Sequence, residues 1–322
     1  MYDEDAVGDL VPPDRVRTSF LQRFPLRKHA FRFYAPLYPR AFESFDLSAF
    51  DLIVSSTTAW SKGVRFRPDA VHVCYINTVS RFVFDTDRYV GAGTAARLAR
   101  PFIAQLAEWD VRAAQRPTRF VANSRNVAQR VLRWYGREAD VVPCPVDVDR
   151  FTTGAGNGDY YVVVSRLLAY KRIDLAIAAC ASAGVALHVV GTGPDERRLK
   201  TLAVGTRTTF HGAVDDAARN ALLGDARAAL LPGEEDFGLV PLEAAAAGRP
   251  TIALAAGGAL ETIVDGETGA FFHAPAAETL ADAIRAFDPD AYDPARLRAH
   301  AETFRPERFI ARLRAIVDAT RP

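Results

Sequence analysis

The 322-residue sequence contains no apolar run approaching the roughly 20 residues that cross a bilayer, and its opening stretch, MYDEDAVGDLVPP, is acidic and has no apolar signal-peptide core. A cytoplasmic protein is expected. Its three cysteines, Cys74, Cys144 and Cys180, are far apart and show no CxxC or Cys/His metal spacing, so they read as reduced thiols. The formal net charge of +1 removes the electrostatic footprint of a nucleic-acid binder, and no nucleic-acid partner is expected. What remains, 49% apolar and 25% charged residues, is the balance of a globular chain long enough for two domains, each with its own core.

From about residue 158 onward, short β-branched runs alternate with helical periodicity, the pattern of a parallel sheet wrapped by helices. The strands read as YYVVVS, ALHVVG, TTFHG, ARAALLP, PTIAL and GAFF. Between them IDLAIAACASAG, DERRLKTLA, DDAARNALLG, LVPLEAAAAG and AETLADAIRAF carry apolar residues at three- and four-residue spacing. In the first half DLIVSS, AVHVCYI and TRFVANS read as strands and Ala95 to Gln115 as helix, a smaller α/β domain. Periodicity disappears in PCPVDVDRFTTGAGNGD, which places the domains at 1–147 and 148–304, with a helix over 305–322. A cleft between two such domains is a natural ligand site. Residues 1–50 offer no apolar strand followed by a Gly-containing turn, so the first sheet is expected to be incomplete.

The most specific local signal is EEDFGLVPLEAAAAGRP, where Glu235 and Glu243 are separated by seven residues after an apolar strand. Pro241 suits a first helical turn, and Gly248 with Pro250 supplies a stop. Such a helix start aims the N–H groups around Phe237, Gly238 and Leu239 at an anion such as phosphate. The two carboxylates can accept hydrogen bonds from hydroxyls of two sugars, such as a hexose and a ribose. Taken by itself, the pair also reads as a helix cap plus a buried, satisfied glutamate. In VSRLLAYKRID, where a strand ends and a helix begins, Arg166 offers a planar fork and Lys171 a point charge, or both are solvated surface cations. Gly191 and Gly193 in VVGTGPDERR permit close backbone approach. FHGAV, ending at Val214, can present backbone groups to a flat base.

SRLLAYKRID, VVGTGPDERRL, FHGAVDD, EDFGLVPLEAAAAGRP and GGALETIVDGETGAFF, in this order, resemble the donor domain of the family 4 retaining glycosyltransferases, and together they cover nearly all of residues 160–272. The resemblance implies the GT-B fold, two Rossmann-like domains facing a cleft. The first half, through RTSFLQRFPLRKHAFRFYAPLYPRAFESFDLSAFDLIVSS, KGVRFRPDAVHVCYINTVSRFVFD and FVANSRNVAQRVLRWYGREADVVPCPVDVDRF, resembles the mannosyltransferase-like branch of bacterial surface-polysaccharide assembly. It implies retaining transfer of a sugar, such as mannose from GDP-mannose, to a glycan or lipid-linked acceptor. By resemblance Glu235, Arg166 and Lys171 are the catalytic group, Glu235 on the transferred sugar and the two cations on the diphosphate. Glu243 lies on the ribose, and Phe237, Gly238, Leu239, Gly191 and Val214 complete the donor site. No DxD-type carboxylate pair is evident, so neither a metal nor any other cofactor is expected; the cations and the helix start neutralise the leaving group instead.

Two departures stand out. Members of that branch usually begin earlier, with a strand, a Gly-Gly-x-Glu loop and a helix, so the first domain is expected to be a truncated form. In CYINTVSRFVFD, Asn77, Thr78 and Val79 occupy the branch's His-Thr-Pro, while Arg81 and Asp85 remain as acceptor-side residues. Asparagine cannot take up a proton near neutral pH as histidine can. A non-catalytic nucleotide-sugar-binding paralogue, or a hydrolase or epimerase on the same fold, therefore stands as the alternative. Independently of any family, Arg15, Arg17, Arg23, Arg27, Lys28, Arg32 and Arg40 alternate with Phe20, Phe24, Phe31, Phe33 and Tyr34 without an acidic residue. That mixture suits peripheral contact with the anionic inner face of a membrane, or a helix face with its aromatic side in the core.

Overall fold

A computed structural model describes residues 2–3, 11–25, 31–84 and 94–321. The chain divides into two compact units: Met1–Ala122, Val127–Asp140 and Val317–Pro322 form the first, and Asn123–Asn126 with Val141–Ile316 the second. The 147/148 boundary read from the sequence falls inside the second unit's main stretch.

The first unit is built on a four-stranded sheet in the order β1 (Leu52–Thr57), β2 (Val71–Ile76), β3 (Arg119–Ala122), β4 (Ala139–Val141). β2 pairs in parallel with β1 on one side and β3 on the other. Every residue of VHVCYI is buried, as a central parallel strand covered on both faces requires. The main helices here are α1 (Thr94–Ala113) and most of α2 (Arg125–Tyr135). Cys74, Ile76, Phe120 and Ala122 pack with Val127, Val131 and Tyr135. The basic and aromatic stretch forms short 3-10 turns at Pro13–Arg15 and Phe20–Arg23, and another at Phe31–Leu37, rather than one continuous helix face. Its rings pack on one another, Phe20 on Phe24 at 5.9 Å and Phe24 on Tyr34 at 5.3 Å. Arg27 and Lys28 lie outside the described residues, as do the side chains of Phe31, Arg32 and Phe33.

This unit also buries an ion pair that periodicity does not announce. Lys62 and Asp110 are 0% and 1% exposed and 2.5 Å apart. The same carboxylate accepts from the Ser80 hydroxyl at 2.7 Å and the Tyr135 phenol at 2.6 Å, and the Lys62 ammonium also donates to the Ala59 carbonyl. The desolvation of two buried charges is offset here by their pairing and by hydrogen bonds from neighbouring groups.

The second unit holds six parallel strands in the order β10-β9-β8-β5-β6-β7: β5 (Tyr160–Val164), β6 (Ala186–Val190), β7 (Thr208–Gly212), β8 (Ala228–Leu231), β9 (Thr251–Leu254), β10 (Gly269–Phe272). Alternation along the strands sorts side chains to two faces. Tyr161, Val163, Leu187, Val189 and Leu230 meet α3 (Ile173–Ala183), α4 (Glu196–Leu202) and α7 (Ala277–Ala286). Val162, Val190 and Ala229 meet α5 (Asp216–Asp225), α6 (Leu239–Ala246) and α8 (Pro294–Glu302). Asp215 caps α5 by accepting from the Ala218 N–H at 2.8 Å, and Gly184 in the left-handed region ends α3. The chain finishes in α9 (Pro306–Thr320).

Asp110→Ala should strand the Lys62 ammonium inside the first unit and cost about 3–5 kcal/mol. Chemical denaturation followed through the fluorescence of Trp60, Trp109 and Trp134, all in the first unit, reads that loss, and an unchanged midpoint would refute the buried pair.

Candidate functional site

Because all six strands of the second unit run parallel, their carboxyl ends open on one side of the sheet, and the loops leaving them carry the residues singled out above. The chain passes from β5 outward to β6 and β7 in one direction, and from β8 to β9 and β10 in the other. The loops after β5 and β8 therefore part from neighbouring strands in opposite directions, the switch point at which open α/β sheets bind ligands.

Glycine lets these loops pass backbone against backbone. Gly191 has φ of 123°, and a Cβ there would stand 2.0 Å from the Ser165 carbonyl oxygen; at Gly233 one would stand 2.8 Å from the carbonyl oxygens of Tyr170 and Lys171. The post-β5 loop is laced to the post-β6 loop by Leu167 N–H to Thr192 O and Asp195 N–H to Leu167 O, both 3.0 Å. Arg172, the single non-glycine residue with positive φ among the described residues, then turns the chain into α3 at φ of 55°. A left-handed arginine costs about 1–3 kcal/mol and persists where the surroundings fix it.

This turn sets Lys171 against Glu235. Their side chains form an ion pair, 17% and 18% exposed, that spans the loops after β5 and β8. The Glu235 carbonyl is fixed by the Gly258 N–H at 2.9 Å, and the next carbonyl, of Asp236, accepts from the buried Ser124 hydroxyl at 2.7 Å. Asn126 Nδ2 lies 3.4 Å from both carbonyl oxygens. Glu261 secures the same segment, accepting from the Arg125 and Asn126 N–H groups at 2.8 and 3.0 Å.

Gly238, left-handed at φ of 90°, precedes α6, and Phe237 beside it is buried in the core while Leu239 is exposed. Among the described residues the N–H groups of Phe237, Gly238, Leu239 and Val240 donate to no protein acceptor, and Pro241 has none to donate. Unsatisfied donors at a helix start are of the kind that suits an anion. Glu243 follows within α6, partly buried; burial pushes its carboxyl above the usual range, Arg219 and Arg150 pull it back and Asp216 pushes it up. Arg166 is exposed, and its guanidinium has no partner among the described residues. Val214 packs at the margin of the second-face core.

The structure thus pairs Lys171 with Glu235, leaves Arg166 free on the Lys171 loop, and sets Glu243 beside Arg150, Asp216 and Arg219 instead. The sequence reading passed over Arg172 and the supporting contacts of Asn126 and Glu261. In the first unit Asn77 follows β2, its Nδ2 reaching Ser56 Oγ at 3.1 Å, and Arg81 is buried at the start of a short helix, Arg81–Phe84. Asp85 lies outside the described residues.

Residues 147–303 match the family described as Glycosyl transferases group 1, and residues 3–150 match Glycosyltransferase Family 4. The chain is 32% identical over 201 residues to a D-inositol 3-phosphate glycosyltransferase of Geodermatophilus obscurus, covering 52% of this chain and 45% of that one. It is 32% identical over 176 residues to a GDP-mannose-dependent alpha-(1-6)-phosphatidylinositol monomannoside mannosyltransferase of Mycobacterium tuberculosis, covering 45% of each. The aligned stretch spans less than half the length of these curated relatives. Among solved structures, a sucrose-phosphate synthase from Thermosynechococcus elongatus superposes with a TM-score of 0.74 at 21% identity, covering 94% of this chain and 82% of that one. Anabaena HepE in complex with UDP and glucose gives 0.61 at 19% identity, covering 77% and 78%. Together the two matched stretches run from residue 3 to residue 303, and the fold is GT-B.

The raised Glu243 pKa means the folded protein holds that proton more tightly than the unfolded chain, so folding loses stability as pH rises through the folded value. Glu243→Gln should raise the melting temperature at pH 7–8 and leave it little changed near pH 4. A lowered melting temperature at neutral pH would show that the carboxylate is favourably paired.

Proposed function

We propose that this glycosyltransferase moves a hexose from a nucleoside-diphosphate sugar to a glycan or lipid-linked acceptor with retention at the anomeric carbon. The observation that carries the reading is the Lys171–Glu235 pair at the switch point between β5 and β8, beside the free donors at the start of α6. An arriving diphosphate takes up the Lys171 ammonium and the Arg166 fork, and accepts from the Gly238 and Leu239 N–H groups. Glu235, released from Lys171, accepts from hydroxyls of the transferred sugar, and Glu243 from those of the ribose. Gly191 and Val214 line the nucleoside end.

In the transfer itself, the bond from the anomeric carbon to the phosphate oxygen breaks and the acceptor oxygen bonds to the same face. The acceptor proton passes to the departing diphosphate. The protein contributes charge neutralisation and alignment, so Asn77 where the resembling branch has histidine is compatible with turnover. Neutralisation by Arg166, Lys171 and the helix start fits a site without a bound metal, and no metal is invoked. For the donor, GDP-mannose is supported by the name of the mycobacterial relative, and a UDP-sugar by the ligands of HepE. We assign the work to the cytoplasmic side, where nucleotide sugars are available, with the basic and aromatic segment before Arg40 near the membrane surface that holds a lipid-linked acceptor.

Calorimetric titration of GDP-mannose and UDP-glucose tests the donor assignment. Arg166→Ala and Lys171→Ala should each weaken the bound donor by about 1.5–3 kcal/mol, since each removes a charge-assisted contact. Glu235→Gln should lower kcat, whereas Glu243→Gln should chiefly raise the donor KM. Unchanged affinity in both cation variants would remove the diphosphate from this site.

A further inference from the structure

We propose that the buried Asp110 carboxylate is a positioning residue, holding through Ser80 the turn that follows β2 and so setting the geometry of the acceptor side. This rests on the transferase reading above, together with the acceptor-side place that the family resemblance implies for Asn77 and Arg81.

Asp110 gathers three elements of the first unit. From the loop after β1 comes Lys62, 2.5 Å from Oδ1; from the turn after β2 comes the Ser80 hydroxyl, 2.7 Å from the same oxygen; from the end of α2 comes the Tyr135 phenol, 2.6 Å from Oδ2. Lys62, Ser80 and Asp110 are all at most 1% exposed, and the Lys62 ammonium lies 5.4 Å above the Tyr135 ring and 5.9 Å from that of Trp109. Burial, and next the neighbouring carboxylate, pushes the Tyr135 phenol upward, which keeps it a neutral donor.

Ser80 is the member that belongs to the turn after β2. Its carbonyl accepts from the Val83 and Phe84 N–H groups at 2.9 and 3.2 Å, starting the short helix that opens with Arg81. On its other side the turn is tied to β1, where the Asn77 N–H donates to Thr57 O at 2.8 Å. The Thr57 hydroxyl in turn accepts from Ala59 and Ser61 at 3.1 and 3.2 Å, in the loop that supplies Lys62. The carboxyl ends of β1 and β2 are thus one hydrogen-bonded assembly with Asp110 at its centre. Apolar residues of similar volume serve stability alone at least as well as a buried ion pair. What the charged cluster adds is direction: an ionised carboxylate fixes the Ser80 hydroxyl in one orientation, and with it the backbone from Asn77 to Arg81.

Ser80→Ala keeps the Lys62–Asp110 and Tyr135–Asp110 contacts and removes the hydroxyl that ties both Asp110 and Tyr135 to the turn. The test combines amide hydrogen exchange of residues 77–84 in the full chain with steady-state transfer from GDP-mannose and from UDP-glucose to octyl α-mannoside. In Ser80→Ala, exchange across 77–84 should accelerate about tenfold while β1, β2 and β3 keep their protection. The KM for the glycoside should rise about tenfold with kcat and nucleotide affinity unchanged, and Ser80→Thr, which keeps the hydroxyl, should restore both. Unchanged exchange in 77–84, or acceleration spread equally over the three strands, overturns the positioning role. A loosened turn with an unchanged glycoside KM overturns its link to the acceptor. If the wild-type protein moves no sugar from either donor, the transferase reading fails, and exchange alone decides whether Asp110 holds the turn.

Discussion

Close approach of backbone to backbone at the carboxyl ends of β5, β6, β8 and β9 is the constraint on which the second unit turns. A Cβ at Gly191 or Gly233 would stand 2.0 or 2.8 Å from backbone oxygens of the neighbouring loop, so the loops would have to shift apart. The post-β5 and post-β8 loops would then lose the spacing at which Lys171 meets Glu235. The left-handed Arg172 and the unsatisfied donors before α6 depend on the same crowding. Each is a local cost held in place by the sheet beneath, whose central strands β5 and β8 are apolar on both faces.

Charge is handled differently in the two units. In the first, Lys62 and Asp110 are fully withdrawn from water and satisfied by Ser80, Tyr135 and a carbonyl, so the pair directs structure and has nothing left to offer a ligand. In the second, the Arg166 guanidinium has no partner among the described residues, Lys171 is held by Glu235 and by the face of the Tyr170 ring, and Glu243 carries a carboxylate that burial disfavours. Uncommitted or reluctantly charged groups around open backbone donors are what a binding site for an anionic, hydroxyl-rich molecule requires.

Much of this was legible in the residues. The six strands of the second unit follow short apolar or β-branched runs, and Gly184, Asp215 and Pro241 mark helix ends by their own chemistry. Pairings distant along the chain were not, because periodicity reports which face a residue occupies and not what it meets there. Lys171 and Glu235 were each singled out, yet their ion pair, 64 residues apart, was not foreseen. Lys62 and Asp110, 48 apart, gave no signal at all, since a lysine in SKG reads as solvated surface. TTGAGNGD reads as a linker; its glycines in fact lie against the chain, with Gly156 and Gly158 donating to Gly224 O and Asp225 O at 3.2 and 2.8 Å and Arg249 reaching Gly154 O at 2.8 Å. Such a segment has no periodicity because its hydrogen bonds go to distant backbone rather than to its own.

The central claim is that a nucleoside diphosphate seats at the β5/β8 switch point and draws Lys171 from Glu235. A crystal structure of the full chain with bound GDP or UDP tests it most directly. The account requires diphosphate oxygens within hydrogen-bond distance of Lys171 Nζ and of the Gly238 or Leu239 N–H, with the Lys171–Glu235 contact opened. A nucleotide bound elsewhere, or one bound here with that ion pair intact, would contradict it.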